Sequence, residues 1–188
     1  VITFGLTEGA EVRADDLEVG QHGSRFRAAG IEIETPLRGR FNVENLTPLG
    51  TNPSAAQRAK YAALAETLVS RMKAPDIVAV EEIQDNNGTS GGTGSPVVDA
   101  SQTWADLIGA ISAADGPSYD YRQIDPLFNQ DGGEPSGNIR QGFLFRTDRG
   151  LSFVDRPGGD AVTPNEVVET QYGPELLYSP GRIDPTNS

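Results

Sequence analysis

The sequence predicts a mixed α/β fold, and three observations carry that prediction. A short strand, an amphipathic helix and an apolar strand follow one another between residues 40 and 80. A second amphipathic helix comes after a polar loop. Further strand-like runs then follow it. Alternation between a period of two and a period near 3.6 is what a sheet with crossover helices requires.

Residues 1–36 carry only short alternating pieces, Phe26-Arg27-Ala28 and Ile31-Glu32-Ile33-Glu34, which read as small strands. They hold no chemical motif and are expected to be an arm or the remnant of an upstream β-rich segment. The chain therefore divides into 1–36 and 37–188.

The pattern sharpens at Phe41-Asn42-Val43-Glu44-Asn45-Leu46, a strand that runs into a turn at Pro48-Leu49-Gly50. Ser54 with Gln57 three residues on is a capping box. Tyr61, Leu64, Ala65, Leu68, Val69 and Met72 then share one helix face. Pro75 stops that helix, and Ile77-Val78-Ala79-Val80 is the apolar run of a buried strand. A strand–helix–strand unit of this length has parallel strands and a right-handed crossover.

After a Gly/Ser/Thr/Asn loop over 86–96, Asp99 with Gln102 offers a second capping pattern. Trp104, Leu107, Ile108 and Ile111 define the second helix, ended by Gly116-Pro117. Strands are expected over 119–124 and 141–146, separated by a polar loop over 125–137. Residues 151–154 are expected to pair with the latter strand as a hairpin across Thr147-Asp148-Arg149-Gly150. A weak strand lies near Val167-Val168, and there is no internal repeat.

Composition narrows the chemistry. The chain has no cysteine, which excludes disulfides, thiolate zinc sites and cysteine nucleophiles. A net charge of −12 argues against a broad basic surface for nucleic acid, while permitting a carboxylate-rich site that recruits a cation. Lys60 and Lys73 are the two lysines; the other basic residues are arginine, suited to bidentate phosphate contacts. No apolar run is long enough to span a bilayer.

Both strands of a parallel pair end at one sheet edge, where open α/β sheets bind ligands. Asn42 and Glu44 lie near the exit of the first strand, Glu81 and Glu82 at the exit of the second. Strict alternation allows only one of Glu81 and Glu82 to face a given side. A carboxylate ending a buried strand is costly unless paired or bound to a cation. Mg²⁺ takes one or two carboxylates together with water and phosphate oxygens. The alternative is that Glu81 and Glu82 form a solvated strand end and Asn42 a turn-capping amide.

The segments Phe41-Asn42-Val43-Glu44-Asn45-Leu46 and Asp76-Ile77-Val78-Ala79-Val80-Glu81-Glu82-Ile83-Gln84-Asp85 resemble the opening motifs of the endonuclease/exonuclease/phosphatase (DNase I-like) superfamily. Asn86-Asn87-Gly88 and the polar loop after it resemble the large secreted bacterial nucleases of that group. Asn138 to Arg146 resembles the next family strand, and Gly181-Arg182-Ile183-Asp184-Pro185 a motif of the secreted members. The resemblance covers roughly residues 38–185 in family order.

This resemblance implies a DNase I-like four-layer sandwich of two mixed sheets, truncated here to about its first half. It implies a divalent-metal-dependent phosphodiesterase, a nuclease acting on DNA or RNA, secreted, with Mg²⁺, Mn²⁺ or Ca²⁺ as cofactor. Asn42 would be the active-site asparagine that touches substrate, Glu82 the metal-binding glutamate, and Glu44 an acidic neighbour of the metal. Arg140 would touch the substrate phosphate, with a surface strand arginine as its alternative. The family's later Gly-Asp-x-Asn and Ser-Asp-His motifs have no counterpart, and the single histidine, His22, precedes the first motif. The chain is therefore expected to be catalytically incomplete, and to self-associate through uncovered sheet surface. A phospholipid or sugar-phosphate diesterase of the same fold, or a non-catalytic interaction module, are the competing expectations.

Overall fold

Ser54 opens the first helix by the reciprocal bonds its sequence predicts. In the computed structural model its Oγ accepts the Gln57 N–H at 3.1 Å, and Gln57 Oε1 accepts the Ser54 N–H at 2.9 Å. The structure describes residues 41–88, 97–130 and 137–185, and before them the backbone of four strands. Those four are β1 (Phe4–Gly5), β2 (Val12–Gly20), β3 (Gly23–Ala28) and β4 (Ile31–Thr35). They form a sheet of their own, ordered β1-β2-β3-β4, with β1 parallel to β2 and the other pairs antiparallel.

The central sheet is ordered β5-β6-β8-β7, from β5 (Phe41–Leu46), β6 (Ile77–Ile83), β7 (Tyr119–Gln123) and β8 (Arg140–Arg146). β5 and β6 are parallel, joined through α1 (Ala55–Glu66) and a π-helical turn, Thr67–Arg71. β8 runs antiparallel to both its neighbours, so the sheet is mixed. Helix α2 (Ser101–Ala113) links β6 to β7. A separate antiparallel hairpin, β9 (Val167–Thr170) and β10 (Gly173–Leu176), follows.

One core joins the sheet to both helices. Val43, Val78, Val80 and Leu144 pack with Tyr61, Ala65 and Leu68 from the first helical segment and with Trp104, Leu107 and Ile111 from α2. Each large side chain fully buried here contributes on the order of 2–3 kcal/mol. Trp104 is held in three ways: it is fully buried, it stacks on Tyr121 at 5.0 Å, and its Nε1 donates to Gln123 Oε1 at 2.5 Å. Gly142 on β8 lies directly beneath it, where a Cβ would come within 2.5 Å of the indole. The opposite sheet face keeps apolar surface in the open, with Ile77 and Phe143 both exposed. Among the described residues no helix is long and apolar enough to cross a membrane.

Two expectations are corrected. Residues 151–154 do not form a hairpin with β8, because β6 and β7 already occupy both of its edges. They are instead strapped down by side chains: Phe153 packs on Phe145, and the Arg122 guanidinium lies over both rings. The second correction concerns α2, whose capping position is Ala100, not Asp99. Asp99 accepts the Ser101 N–H at 3.0 Å, and the Gln102 N–H goes to Asn86 Oδ1 at 2.8 Å. The helix start is therefore satisfied across the loop, by a partner that local spacing does not reveal.

Candidate functional site

The exits of β5 and β6 are bulged, and the bulges decide which side chains meet. Between the pairs Asn42↔Glu81 and Leu46↔Ile83, β5 advances four residues while β6 advances two. Between Val80↔Gly142 and Ile83↔Arg140, β6 advances three residues against two on β8. The inserted residues sit in left-handed backbone, Glu44 at φ 54°, Asn45 at φ 52° and Glu82 at φ 65°. An extra residue breaks the two-residue alternation and re-aims the side chains after it. Both Glu81 and Glu82 consequently line the same cleft, contrary to the reading from strict alternation.

Asn42 and Glu82 are brought together. Asn42 Nδ2 donates to Glu82 Oε1 at 2.6 Å, and the Asn45 N–H donates to Glu82 Oε2 at 3.1 Å. Asn42 Oδ1 in turn accepts the Glu44 N–H at 2.7 Å. The amide thus caps the local turn, as the alternative reading had it, and also orients the carboxylate forty residues away. Glu44 joins through its backbone, and its carbonyl accepts from Lys60 Nζ of α1 at 2.5 Å.

The cleft that Glu82 lines has a volume of about 640 Å³, and Asn42, Glu44 and Asn45 are not among its lining residues. Its walls come from distant parts of the chain: Glu81 and Glu82 from β6, Arg140 and Gln141 from β8, Arg122 from β7, and Gly181 with Arg182 from the C-terminal motif. Residues far apart in the chain, on β6, β8 and the segment at Gly181-Arg182, therefore border one cavity. Bridges at Arg156↔Ser179 and Pro164↔Arg182 hold the last segment in place.

Arg140 is not a surface strand arginine. Its side chain is 2% exposed. Nη1 donates to Asp125 Oδ1 at 2.9 Å and to the Val98 carbonyl, and Nη2 donates to the Asn138 carbonyl at 2.6 Å. Burial holds the guanidinium below its usual range and the Asp125 carboxyl above its own, with their mutual attraction acting the other way. The arginine pins the two loops that flank the cleft.

Sequence reading missed the polar seam behind that arginine. Gln84 and Asp85 are fully buried where the apolar run of β6 ends. Asp85 Oδ2 accepts from Asn138 Nδ2 at 2.6 Å and its Oδ1 accepts the Asn87 N–H at 3.0 Å, while Asn138 Oδ1 accepts the Asn129 N–H at 2.6 Å. The available signal was Gln84-Asp85 directly continuing a buried strand, where polar residues need internal partners.

Glu82, with Glu81 in the same cleft, is the hard oxygen donor that could hold a divalent cation together with water. Each Glu82 oxygen accepts one hydrogen bond, which leaves acceptor capacity toward the cleft. Among the described residues no group of three or more His, Cys, Asp or Glu side chains gathers as a metal cage. Mg²⁺ or Mn²⁺, which retain water and take few protein ligands, suit such a site better than Ca²⁺ with its six to eight oxygens. His22 lies outside the described residues.

Comparison of the chain with protein-family models, with curated proteins and with solved structures yields no match in any of the three.

Proposed function

We propose that this chain carries part of the active site of a divalent-metal-dependent phosphodiesterase of DNase I-like fold, most simply a nuclease. The observation that carries the reading is the Asn42–Glu82 contact at the common edge of a parallel strand pair, whose Glu82 lines a cleft that also receives Arg182. Glu82 and the cleft-lining Glu81 offer hard oxygen ligands. Asn42 holds Glu82 in one orientation and can present its amide to a phosphate oxygen without adding charge. When bound, the metal would supply charge neutralisation at the phosphate and a more acidic water. The groups that move protons in such a reaction are not gathered at the cleft among the described residues.

Two measurements test this. Substoichiometric Mn²⁺ should broaden the amide resonances of Asn42, Asn45 and Glu82 before all others, and Glu82→Gln should abolish that selectivity. In any longer chain that contains this one and nicks supercoiled plasmid, Asn42→Ala and Glu82→Gln should each lower nicking by about 10²-fold or more. Uniform broadening, or nicking indifferent to both substitutions and to chelator, rejects the proposal.

A further inference from the structure

Seven residues other than glycine have positive φ among those described, and three of them, Glu44, Asn45 and Glu82, converge on a single hydrogen-bonded cluster. Left-handed backbone is unfavourable for a residue other than glycine, and persists only where the surroundings hold it. The contacts that hold it here are explicit. Asn42 Oδ1 accepts the Glu44 N–H, and Lys60 Nζ reaches from α1 to the Glu44 carbonyl. Their result is that the Asn45 N–H points at Glu82 Oε2.

The Asn45 side chain does not explain its own position. Its Oδ1 is buried and accepts no hydrogen bond. Asparagine tolerates left-handed backbone better than other residues with a Cβ. Its use here is therefore conformational, with the functional atom being its backbone nitrogen.

We infer that Asn45 is a positioning residue for Glu82: the left-handed pair Glu44–Asn45, tethered by Lys60, fixes the Glu82 carboxylate by a second hydrogen bond so that it meets a divalent cation in one orientation. Asn42 holds one oxygen and Asn45 the other, so the carboxylate cannot rotate without breaking a bond at either end. This inference rests on the metal-site reading of Glu82, and its test separates the two.

The experiment is Mn²⁺ titration of the 188-residue chain, read by amide line broadening, with thermal melting in parallel. Asn45→Gly keeps the N–H and adopts left-handed backbone freely, so it should bind Mn²⁺ within about twofold of wild type. Asn45→Val resists that conformation and should lose about tenfold or more, the effect typical of removing a partner of a metal ligand. Asn45→Ala, less strained, should lose severalfold and serves in place of valine if that variant does not fold. Lys60→Met, which leaves the cluster's own residues in place, should weaken binding in the same direction. A purely structural role predicts that affinity follows melting temperature and that glycine gives no special retention. If wild type binds Mn²⁺ at Glu82 and the alanine and valine variants bind equally well, the inference is overturned while the metal site stands. If wild type shows no selective broadening, the metal-site reading itself fails.

Discussion

Replacing Asn42 by aspartate puts a second carboxylate against the first with little change of shape. In the native site Asn42 donates to Glu82 Oε1 at 2.6 Å and accepts the Glu44 N–H through its other side-chain atom. Asn42→Asp keeps the bond to Glu44 and turns the other contact into two facing oxygens. At 2.6 Å in the high-dielectric limit, suited to an exposed contact, two unit charges repel by about 1.5 kcal/mol. For a chain of this size that corresponds to a melting temperature lower by about 3–6 °C at neutral pH.

The sign of the pH dependence comes from the same contact. The introduced pair has a carboxyl pKa raised in the folded state above its unfolded value, because like charges disfavour ionisation. The penalty is therefore present above that raised value, and it disappears as pH falls through it and one proton is shared. Millimolar Mg²⁺ should remove it at neutral pH by neutralising both carboxylates. The assay is a thermal melt of wild type and Asn42→Asp at acidic and neutral pH, with and without Mg²⁺. A loss that does not change with pH refutes the geometry. A loss that shrinks with acid but ignores Mg²⁺ keeps the geometry and rejects the cation.

Two further predictions concern the frame around the site. Gly142→Ala should cost about 3 kcal/mol, the upper part of the overpacking range. The new Cβ would lie 2.5 Å from Trp104 Cζ2 and 2.8 Å from the Arg122 carbonyl, and the indole has no free direction to move. Urea denaturation gives the value, and a change below half of it would mean the indole repacks. Arg140→Met leaves the Val98 and Asn138 carbonyls without their donor and Asp125 without its cation. The expected destabilisation is about 2–4 kcal/mol, reduced from the fully buried case because Asp125 is partly exposed. A melt unchanged by this substitution would show that the arginine does not pin its two loops.

Periodicity and end signals carried most of the scaffold. The capping box at Ser54, the helix faces through Tyr61 and Trp104, and the apolar run of β6 are local patterns, each visible in a short stretch of sequence. Parallel pairing of β5 and β6 follows from them, since a crossover helix leaves the two strands pointing one way. Asn42 and the Glu81-Glu82 pair could be placed at strand ends on one edge, but the strand pattern left open which glutamate meets Asn42, and only the family resemblance singled out Glu82.

Tertiary structure alone decided the rest, wherever a residue's partner lies far along the chain. The bulges that bring Glu81 and Glu82 to one cleft depend on register against two neighbouring strands. The burial of Arg140 depends on loops that bring Asp125 and Val98 to it. Residues 151–154 stay out of the sheet because both edges of β8 are taken. Local sequence determines which conformations a segment favours, whereas burial and strand neighbours are set by the assembled fold. That is why this chain's elements could be read in advance and the exact facing of its site residues could not.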